Sequence, residues 1–272
     1  MERHLRCLYV HDGEGRIHST REPSSPRPPR FHLGRTTLGN LWRFRDDLPP
    51  SLVRGLSRLA GKEAALVGGW PEHGQPPPPP PERIESLRSL LREHGGIESE
   101  WRGPAYRFPA DTSQATPDEA LDEAPDETRA LAAARPEVSG DAPTPVAVAP
   151  GDEELLERHF SDVLPELSLR QPCVALVEHG HAVSLCCCAR SPGTSAVAAE
   201  ACVSPEAAEA SVETAPGHRG RGYATRTVAA WARSVQAQGL LPLYSTSWEN
   251  RASRSVARRL GLIPYGEDLH IE

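Results

Sequence analysis

The first hundred residues alternate short amphipathic segments with short extended ones. The pattern predicts a hairpin formed by Leu5–Val10 and Arg16–Ser19 around an Asp-Gly turn, and a further strand at Leu41–Phe44. Apolar residues at helical spacing predict helices at Pro50–Leu59 and Ile84–His94. These elements are enough for a small α+β domain, in which no group of residues forms a recognisable catalytic or binding motif.

The second half of the chain has a more regular pattern, typical of a sheet covered by helices. In chain order it predicts a helix at Glu153–Leu164, strands at Val174–Val177 and Ala182–Ala189, a loop over 191–206 and a strand that ends near Thr214. A helix at Ala224–Gln238, an apolar strand at Leu240–Ser247 and an arginine-rich helix that reaches Leu260 follow. The expected fold class is therefore α/β or α+β. The His-Gly-His sequence at 179–181 is interpreted as the tip of a hairpin rather than a metal-binding pair.

Composition divides the chain into three segments. Residues 108–150 contain nine acidic and two basic residues and almost no large apolar side chain. Such a composition cannot offset the entropy of ordering, so an acidic, disordered linker is predicted at 110–150. It separates a small N-terminal α+β domain at 1–109, of unknown role, from a C-terminal domain at 151–272. The run Pro76–Pro81 predicts a stiff loop in or beside the first domain, in preference to an SH3-type ligand.

Charge and cysteine content narrow the class of protein. The chain of 272 residues has a net charge of −7 and 38% hydrophobic residues. No apolar run approaches the roughly 20 residues of a membrane helix, and no signal peptide is evident. The six cysteines form no C-x-x-C pair, which favours a reduced, cytoplasmic protein without a metal site. Membrane and nucleic-acid partners are not expected.

The most informative segment is Pro216–Ala224, a glycine-rich turn between a predicted strand and a predicted helix. Backbone N–H groups at such a turn, together with the helix dipole, attract an anion. The glycines do not have the spacing of a dinucleotide fingerprint, and the turn lacks the Gly-Lys-Ser/Thr ending of a mononucleotide P-loop. Arg219 and Arg221 add positive charge beside the turn. The sequence therefore predicts an anion-binding turn of another type.

The spacing Arg219-x-x-Gly222-x-Ala224 resembles the R/Q-x-x-G-x-G/A motif with which the GNAT superfamily of N-acyltransferases holds the pyrophosphate of acetyl-CoA. Downstream, Asn250 near a helix start, Ser253 three residues later and the step Leu260-Gly261-Leu262 resemble a second hallmark of that superfamily. The resemblance covers 151–272 and is strongest over 208–268. It implies a GNAT-like mixed, largely antiparallel sheet flanked by helices, with acetyl-CoA as co-substrate and no metal.

The resemblance also implies roles for individual residues. The backbone of the turn would bind the pyrophosphate, framed by two arginines, and its residues are Arg219, Gly220, Arg221, Gly222, Tyr223 and Ala224. The strand that ends at Val212-Glu213-Thr214 would pair with the pantetheine arm, and a backbone N–H near Val212 would polarise the thioester carbonyl. Asn250 would hydrogen-bond the cofactor beside Ser253, and it can also cap its helix.

Catalysis needs a base for the attacking amine and a proton for the departing thiolate. Glu213 and Glu209 share one side of the predicted strand and are the candidate bases, and a water chain is the alternative that some members of the superfamily use. Many GNAT enzymes carry a tyrosine acid in the last helix, where this chain has Ala257. Tyr244 and Tyr265 are the remaining candidates for the acid.

The resemblance therefore implies an N-acetyltransferase that moves an acetyl group from acetyl-CoA to a primary amine, either of a small molecule or of a protein. The missing tyrosine favours an alternative, a non-catalytic acyl-CoA-binding regulatory module. A homodimer is left open. For the arginines of the last helix, a solvated face is expected rather than a 3′-phosphate site; these are Arg251, Arg254, Arg258 and Arg259.

Overall fold

Strands dominate the computed structural model, which describes residues 1–20, 27–66, 70–71, 76–109, 143–189, 203–204 and 206–272. The strands are β1 (Tyr9–His11), β2 (Ile17–Thr20), β3 (Phe31–Thr36), β4 (Gly39–Phe44), β5 (Glu100–Arg107), β6 (Pro145–Val148), β7 (Cys173–Glu178), β8 (His181–Cys188), β9 (Val203–Ser204), β10 (Ala207–Thr214), β11 (Leu241–Ser245) and β12 (Ile263–Ile271). The α-helices are α1 (Glu2–Leu8), α2 (Pro50–Ala60), α3 (Ile84–Arg92), α4 (Glu153–Leu156), α5 (Tyr223–Ala237) and α6 (Arg251–Arg259). None of these helices is long and apolar enough to cross a membrane.

Ten strands form one sheet, in the order β4-β3-β12-β5-β11-β10-β8-β7-β6, with β9 paired to β10. Neighbouring strands run antiparallel, except β10 and β11, which run parallel. Strands β1 and β2 form a separate antiparallel pair. The predicted fold class is confirmed: the sheet is mixed, largely antiparallel and flanked by helices.

Strand β5 comes from the N-terminal segment but lies in the interior of the sheet, between β11 and β12. It pairs antiparallel with both neighbours, and β3 extends the same sheet beyond β12. The described parts of 1–109 and 151–272 therefore share one sheet. The division into two domains and a linker stays a prediction, and residues 110–142 lie outside the described residues.

The predicted disordered linker extends too far at its C-terminal end. Residues Pro145–Val148 form β6, which pairs with β7 at the edge of the sheet and brings Val148 opposite Cys173. Val148 is buried in the core formed with α4. Two β-branched residues, Val146 and Val148, are enough for a short strand once a neighbouring edge supplies the hydrogen bonds.

Helices cover both faces of the sheet. On the face called here the α5 face, α5 and α6 pack around Trp231 and Tyr244, and α2 and α3 pack around Phe31 and Leu56. On the opposite face, called the α1 face, α1 lies against β10, and the segment 153–169 covers β7 and β8. The chain therefore forms three layers, and each strand residue faces one layer or the other by alternation.

Most of the predicted elements lie close to their expected positions, but three predictions of secondary structure are wrong. Within the loop predicted over 191–206, Val203–Ser204 form β9, which pairs with β10. Residues Leu5–Leu8 of the predicted hairpin belong to α1, so its first strand starts at Tyr9. The predicted helix Glu153–Leu164 ends at Leu156 and continues as turns. Phe160 and Val163 nevertheless pack with Leu156 in one buried core. The spacing of these apolar residues therefore predicted correctly that they are buried, but not that the backbone is helical.

The described cysteines are free thiols in the core, and the His-Gly-His sequence lies at a hairpin turn. Cys186, Cys187 and Cys188 alternate between the cores of the two faces, and Cys7 and Cys173 are also buried free thiols. Residues 179–180 form the turn between β7 and β8, as expected of a hairpin tip. The sixth cysteine, at position 202, lies outside the described residues.

Glu267 on β12 is fully buried and ties the N-terminal segment to the rest of the sheet. Its carboxylate accepts hydrogen bonds from Arg35 Nη1 at 2.8 Å, Arg102 Nε at 2.7 Å and Trp248 Nε1 at 2.7 Å. The two arginines also donate to backbone carbonyls of Pro76–Pro81, which holds that loop against the sheet. A buried carboxylate with several charged donors is stable only while all of them are present.

We predict that Glu267→Ala lowers the free energy of unfolding by about 3–5 kcal/mol, because it removes the buried carboxylate that pairs with the guanidinium groups of Arg35 and Arg102. Urea unfolding measures the loss. Glu85→Ala is the control, since the Glu85 side chain is 74% exposed in its ion pair with Arg88, and it should cost less than about 1 kcal/mol. Equal losses in the two variants would contradict the role given to Glu267.

Candidate functional site

The parallel strands β10 and β11 pair at one end and separate at the other. Their pairing covers Ala207–Glu209 and Leu241–Leu243. Beyond it, β10 continues beside β8 as far as Thr214, and β11 continues beside β5 as far as Ser245. Each strand is thus held by its outer neighbour, and a fork opens between them.

A cleft of about 490 Å³ lies between the free end of β10, the turn before α5 and helix α6. Its lining residues are Val212, Glu213, Thr214, His218, Arg219, Gly220, Gly222, Tyr223, Ala224, Thr225, Tyr244, Asn250, Ala252, Ser253, Ser255, Val256 and Arg259. Most of the residues predicted for cofactor binding are therefore brought to one cleft. Three predicted residues, Arg221, Glu209 and Tyr265, do not line it.

The turn before α5 has the backbone of an anion-binding nest. Gly220 and Gly222 have φ angles of +77° and +76°, the left-handed region that other residues rarely adopt. Gly222 is the N-cap of α5, and no side chain caps that helix. A Cβ at either glycine would meet open space, so the concave surface is free to receive a ligand. Consecutive N–H groups at a helix start, in this conformation, attract phosphate.

Glu178, at the end of β7, holds the turn in shape. Its carboxylate accepts a hydrogen bond from the Tyr223 hydroxyl and lies 3.0 Å from His218 Nδ1 and 3.7 Å from Arg221 Nη1. Burial acts to raise the pKa of Glu178, but the Tyr223 hydrogen bond and the charges of His218 and Arg221 outweigh it and lower that pKa. The turn is therefore anchored at both ends by one ionised carboxylate.

Sequence reasoning missed both Glu178 and His218. Glu178 lies 45 residues before Tyr223 and belongs to another hairpin, so no local pattern connects them. His218 lies within the glycine-rich turn, and its position there was the available signal.

The two arginines of the turn have different positions. Arg219 lines the cleft, and its Nε donates to the Thr214 carbonyl at 3.0 Å. Arg221 faces Glu178 and donates from Nη2 to the Gly217 carbonyl at 3.3 Å. Arg259 of α6 is exposed, as expected of a solvated helix face, and it also lines the cleft. The positive charge of the cleft therefore comes from Arg219 and Arg259.

Helix α6 and β11 bring a pair of hydroxyl groups into the cleft. Asn250 caps the helix, because its Oδ1 accepts from the Ser253 backbone N–H at 3.0 Å. The Ser253 hydroxyl lies 2.6 Å from the Tyr244 hydroxyl. Burial raises the pKa of Tyr244 above its ordinary value, so the phenol keeps its proton at neutral pH. Ala257, in the position where the resemblance expects a tyrosine, packs in the same core as Tyr244.

The remaining candidates for the base and the acid lie at three different places. Glu213 is exposed on the wall of the cleft, whereas Glu209 is buried on the α1 face. Tyr265 is the extra residue of a bulge in β12, where Pro264 pairs with Tyr106 and Gly266 pairs with Ala105. The bulge turns Tyr265 away from the cleft, and its hydroxyl lies 2.6 Å from His4 Nδ1. Within the described ranges, no three His, Cys, Asp or Glu side chains are placed to hold one metal ion.

Comparison with known proteins agrees with this geometry. Residues 187–270 match the model of a family described as FR47-like protein, which is related to the GNAT superfamily. The matched residues contain β10, the turn, α5, β11 and α6, which together form the cleft. The predicted resemblance of the C-terminal part of the chain to the GNAT superfamily is thereby confirmed. None of the curated proteins matches the chain.

Similar solved structures include a GCN5-related N-acetyltransferase-like protein from Streptococcus suis 89/1591, with 15% identity, 70% of this chain and 69% of that chain covered, and a TM-score of 0.44. A GNAT-family acetyltransferase from Colwellia psychrerythraea has 10% identity, 85% and 76% coverage and a TM-score of 0.44. A tandem GNAT protein from the clavulanic acid biosynthesis pathway has 15% identity, 77% and 61% coverage and a TM-score of 0.41.

We predict that Glu178→Gln loosens the turn, because the neutral amide weakens the hydrogen bond from Tyr223, a charge-assisted bond worth about 1.5–3 kcal/mol, and removes the attraction to His218 and Arg221. Amide hydrogen exchange across 218–223 should become at least about tenfold faster, as measured by mass spectrometry. Glu157→Gln changes an exposed carboxylate on the segment after α4 and should leave that exchange unaltered. Unchanged exchange in Glu178→Gln would show that another contact holds the turn.

Proposed function

We propose that this chain is an acetyl-CoA-dependent N-acetyltransferase that moves an acetyl group to a primary amine. The observation that carries the proposal is the meeting of two features in one cleft. An anion-binding turn precedes α5, and the open end of the fork between the parallel strands β10 and β11 lies beside that turn. The first suits a diphosphate, and the second suits a long, extended arm that ends in a reactive group.

The turn supplies the phosphate site of the proposal. The N–H groups at the start of α5 have no side-chain cap, and Gly220 and Gly222 keep side chains out of their approach. Arg219 and Arg259 line the same cleft and add positive charge. A doubly charged group is bound most tightly where backbone dipoles and guanidinium groups converge.

The free end of β10 supplies the site for the arm. Beyond Glu209, the edge of β10 that faces the fork is no longer paired with β11, and Val212 and Thr214 line the cleft. An amide-containing arm can add to such an edge as an extra strand does. A backbone N–H of β10 near Val212 would then polarise the thioester carbonyl, which is an oxyanion-hole role.

Tyr244 takes the part of the acid in this proposal. Its hydroxyl reaches the cleft beside Ser253, and burial raises its pKa, so the phenol is present in its protonated form at neutral pH and can donate toward the departing sulfur. Ala257 is buried in the same core as Tyr244. We infer that Tyr244 replaces the tyrosine that the resemblance expects at position 257.

The reaction forms a bond between the amine nitrogen and the acetyl carbonyl carbon and breaks the carbon–sulfur bond. The amine loses a proton to a base, and the sulfur gains a proton from an acid. The chain offers two carboxylates on β10 as the base, Glu213 on the wall of the cleft and Glu209 at the closed end of the fork.

A thiol reagent tests the activity by measuring CoA release from acetyl-CoA against a panel of small-molecule and peptide amines. The proposal expects release that depends on at least one class of amine. Tight acetyl-CoA binding without amine-dependent release would instead favour the non-catalytic acyl-CoA-binding module. Absence of acetyl-CoA binding would overturn both assignments.

We predict that Gly222→Asp weakens acetyl-CoA binding by at least about 100-fold, because a carboxylate would occupy the nest and repel the diphosphate. Isothermal titration calorimetry measures the affinity. Gly239→Asp is the matched control, since Gly239 has the same φ of +76° and equally open surroundings at the other end of α5. The prediction fails if Gly222→Asp binds as tightly as Gly239→Asp.

We predict that Tyr244→Phe lowers kcat by about 100-fold with little change in the KM for acetyl-CoA, because it removes a proton donor and keeps the ring in the core. Steady-state kinetics at several pH values measure both constants. Tyr106→Phe is the control, since Tyr106 contacts Tyr244 but does not line the cleft. Equal kcat values in the two variants would exclude Tyr244 as the acid.

A further inference from the structure

A cluster of buried ionisable side chains lies beneath helix α1, on the face of the sheet opposite the cleft. His4, Asp268 and Glu209 are each no more than 2% exposed. His4 Nδ1 lies 2.6 Å from the Tyr265 hydroxyl and 3.3 Å from Asp268 Oδ2, and His4 Nε2 lies 3.7 Å from Glu209 Oε2. His32 Nε2 approaches the other oxygen of Asp268 at 3.3 Å. His4 thus stands between two carboxylates from two different strands.

Burial of so many ionisable groups is costly, and apolar side chains of similar size would stabilise the fold more. Burial is the main influence on His4 and lowers its pKa, although Asp268 acts in the opposite direction. Burial also acts to raise the pKa of Asp268, but His4 and His32 outweigh it and lower that pKa to about 2. A neutral imidazole therefore lies beside a carboxylate that stays ionised. Burial opposes protonation of this imidazole, so His4 can take up a proton only because Asp268 lies beside it and stabilises the charge that it gains.

Glu209 connects this cluster to the proposed reaction centre. It pairs with Leu243 in the last step before β10 and β11 separate, so it lies at the closed end of the fork. Residues 212–214, further along the same strand, line the cleft. An arm that enters along that edge from the turn advances toward Glu209. The gap between the strands also begins there, and it is the place where a group can pass from one face of the sheet to the other.

Helix α1 is fastened over β10 on both sides of His4. Arg3 Nε lies 2.8 Å from Glu206 Oε2, and the Cys7 thiol donates to the Ala207 carbonyl at 3.1 Å. His4 is therefore held over the start of β10 by its own neighbours in the helix. It is the N-terminal segment, to which the sequence assigned no chemistry, that brings this histidine to the fork.

We propose that His4 is a positioning residue for Glu209 and receives the proton that Glu209 takes from the attacking amine, so that helix α1 completes the site. This inference rests on the proposed function. As the nitrogen–carbon bond forms and the carbon–sulfur bond breaks, the amine proton passes to the Glu209 carboxylate and from there to His4 Nε2, where Asp268 stabilises the imidazolium. The sulfur receives the phenolic proton of Tyr244, and both groups return to their starting states by exchange with water.

The separation of 3.7 Å between His4 and Glu209 is an ion-pair distance rather than a hydrogen bond. Proton transfer requires it to shorten, as catalytic hydrogen bonds commonly do when substrate binds. Every element packed around His4 contributes a titratable group. These groups are the amino group of Met1 and Cys7 from α1, His32 from β3, Glu209 from β10, and Tyr265, Asp268 and His270 from β12.

His32 provides a matched control for His4. Both imidazoles are buried, and both lie 3.3 Å from an oxygen of Asp268, but the other contact of His32 is the Tyr9 hydroxyl rather than Glu209. We expect His4→Gln to lower kcat by about 100-fold and to displace the acid limb of the pH profile, with the KM for acetyl-CoA unchanged. His32→Gln should lower the melting temperature as much as His4→Gln does, but it should displace the acid limb less, because His32 acts through Asp268 and keeps the contact between His4 and Glu209.

Tyr265→Phe is the second variant, because it keeps the ring and removes the hydroxyl that contacts His4. It should move the acid limb in the same direction as His4→Gln, with a smaller fall in kcat, even if His4→Gln folds poorly. Unchanged acid limbs in both variants, with normal activity of the unaltered protein, would overturn the role of His4 and leave the proposed function standing. Absence of amine-dependent CoA release from the unaltered protein would overturn both.

Discussion

The separation of β10 from β11 is the constraint on which the candidate site depends. It persists because each strand has a firm partner on its other side: β8 follows β10 to Thr214, and β5 follows β11 to Ser245. The two halves of the sheet, with five strands each, therefore meet along a short parallel contact between β10 and β11. The fork cannot close unless β10 or β11 leaves its outer partner. The cleft, the free edge of β10 and the closed end beside Glu209 are all consequences of this one departure from regular pairing.

The turn before α5 is likewise held in place by a residue from a neighbouring element, Glu178 of β7. A nest that attracts a diphosphate must keep two residues in the left-handed conformation. Gly220 and Gly222 adopt that conformation without steric strain because they have no Cβ atom. The nest also needs a fixed orientation, which Glu178 provides through Tyr223, His218 and Arg221. Glu178 accepts a hydrogen bond from Tyr223 and attracts His218 and Arg221, whereas the positive charge of Arg219 remains on the side of the cleft.

The N-terminal segment is structurally part of the site-bearing sheet. Strand β5 occupies the place between β11 and β12, and buried Glu267 binds Arg35 and Arg102 from that segment to Trp248 from the C-terminal part. Helix α1 lies over β10 and brings His4 to the fork. If the N-terminal segment were only appended, the sheet of residues 151–272 would be complete without it. Here β11 depends on β5 as its outer partner, and the fork depends on that pairing.

Much of the local structure and of the candidate cofactor site was determined by the sequence alone. The glycine-rich turn, α5, Asn250 at the start of α6 and the strand that ends at Thr214 are all set by near neighbours along the chain, through backbone conformation, capping and periodicity. What the tertiary structure decided depends on residues far apart in sequence. Glu178 reaches the turn from another hairpin, and a bulge sends Tyr265 to the α1 face while Tyr244 stays in the cleft. Strand β5 forms between β11 and β12, and the short strand β6 forms along the edge of β7. Such contacts cannot be predicted from the spacing of apolar residues, because strand pairing and burial depend on interactions between distant segments.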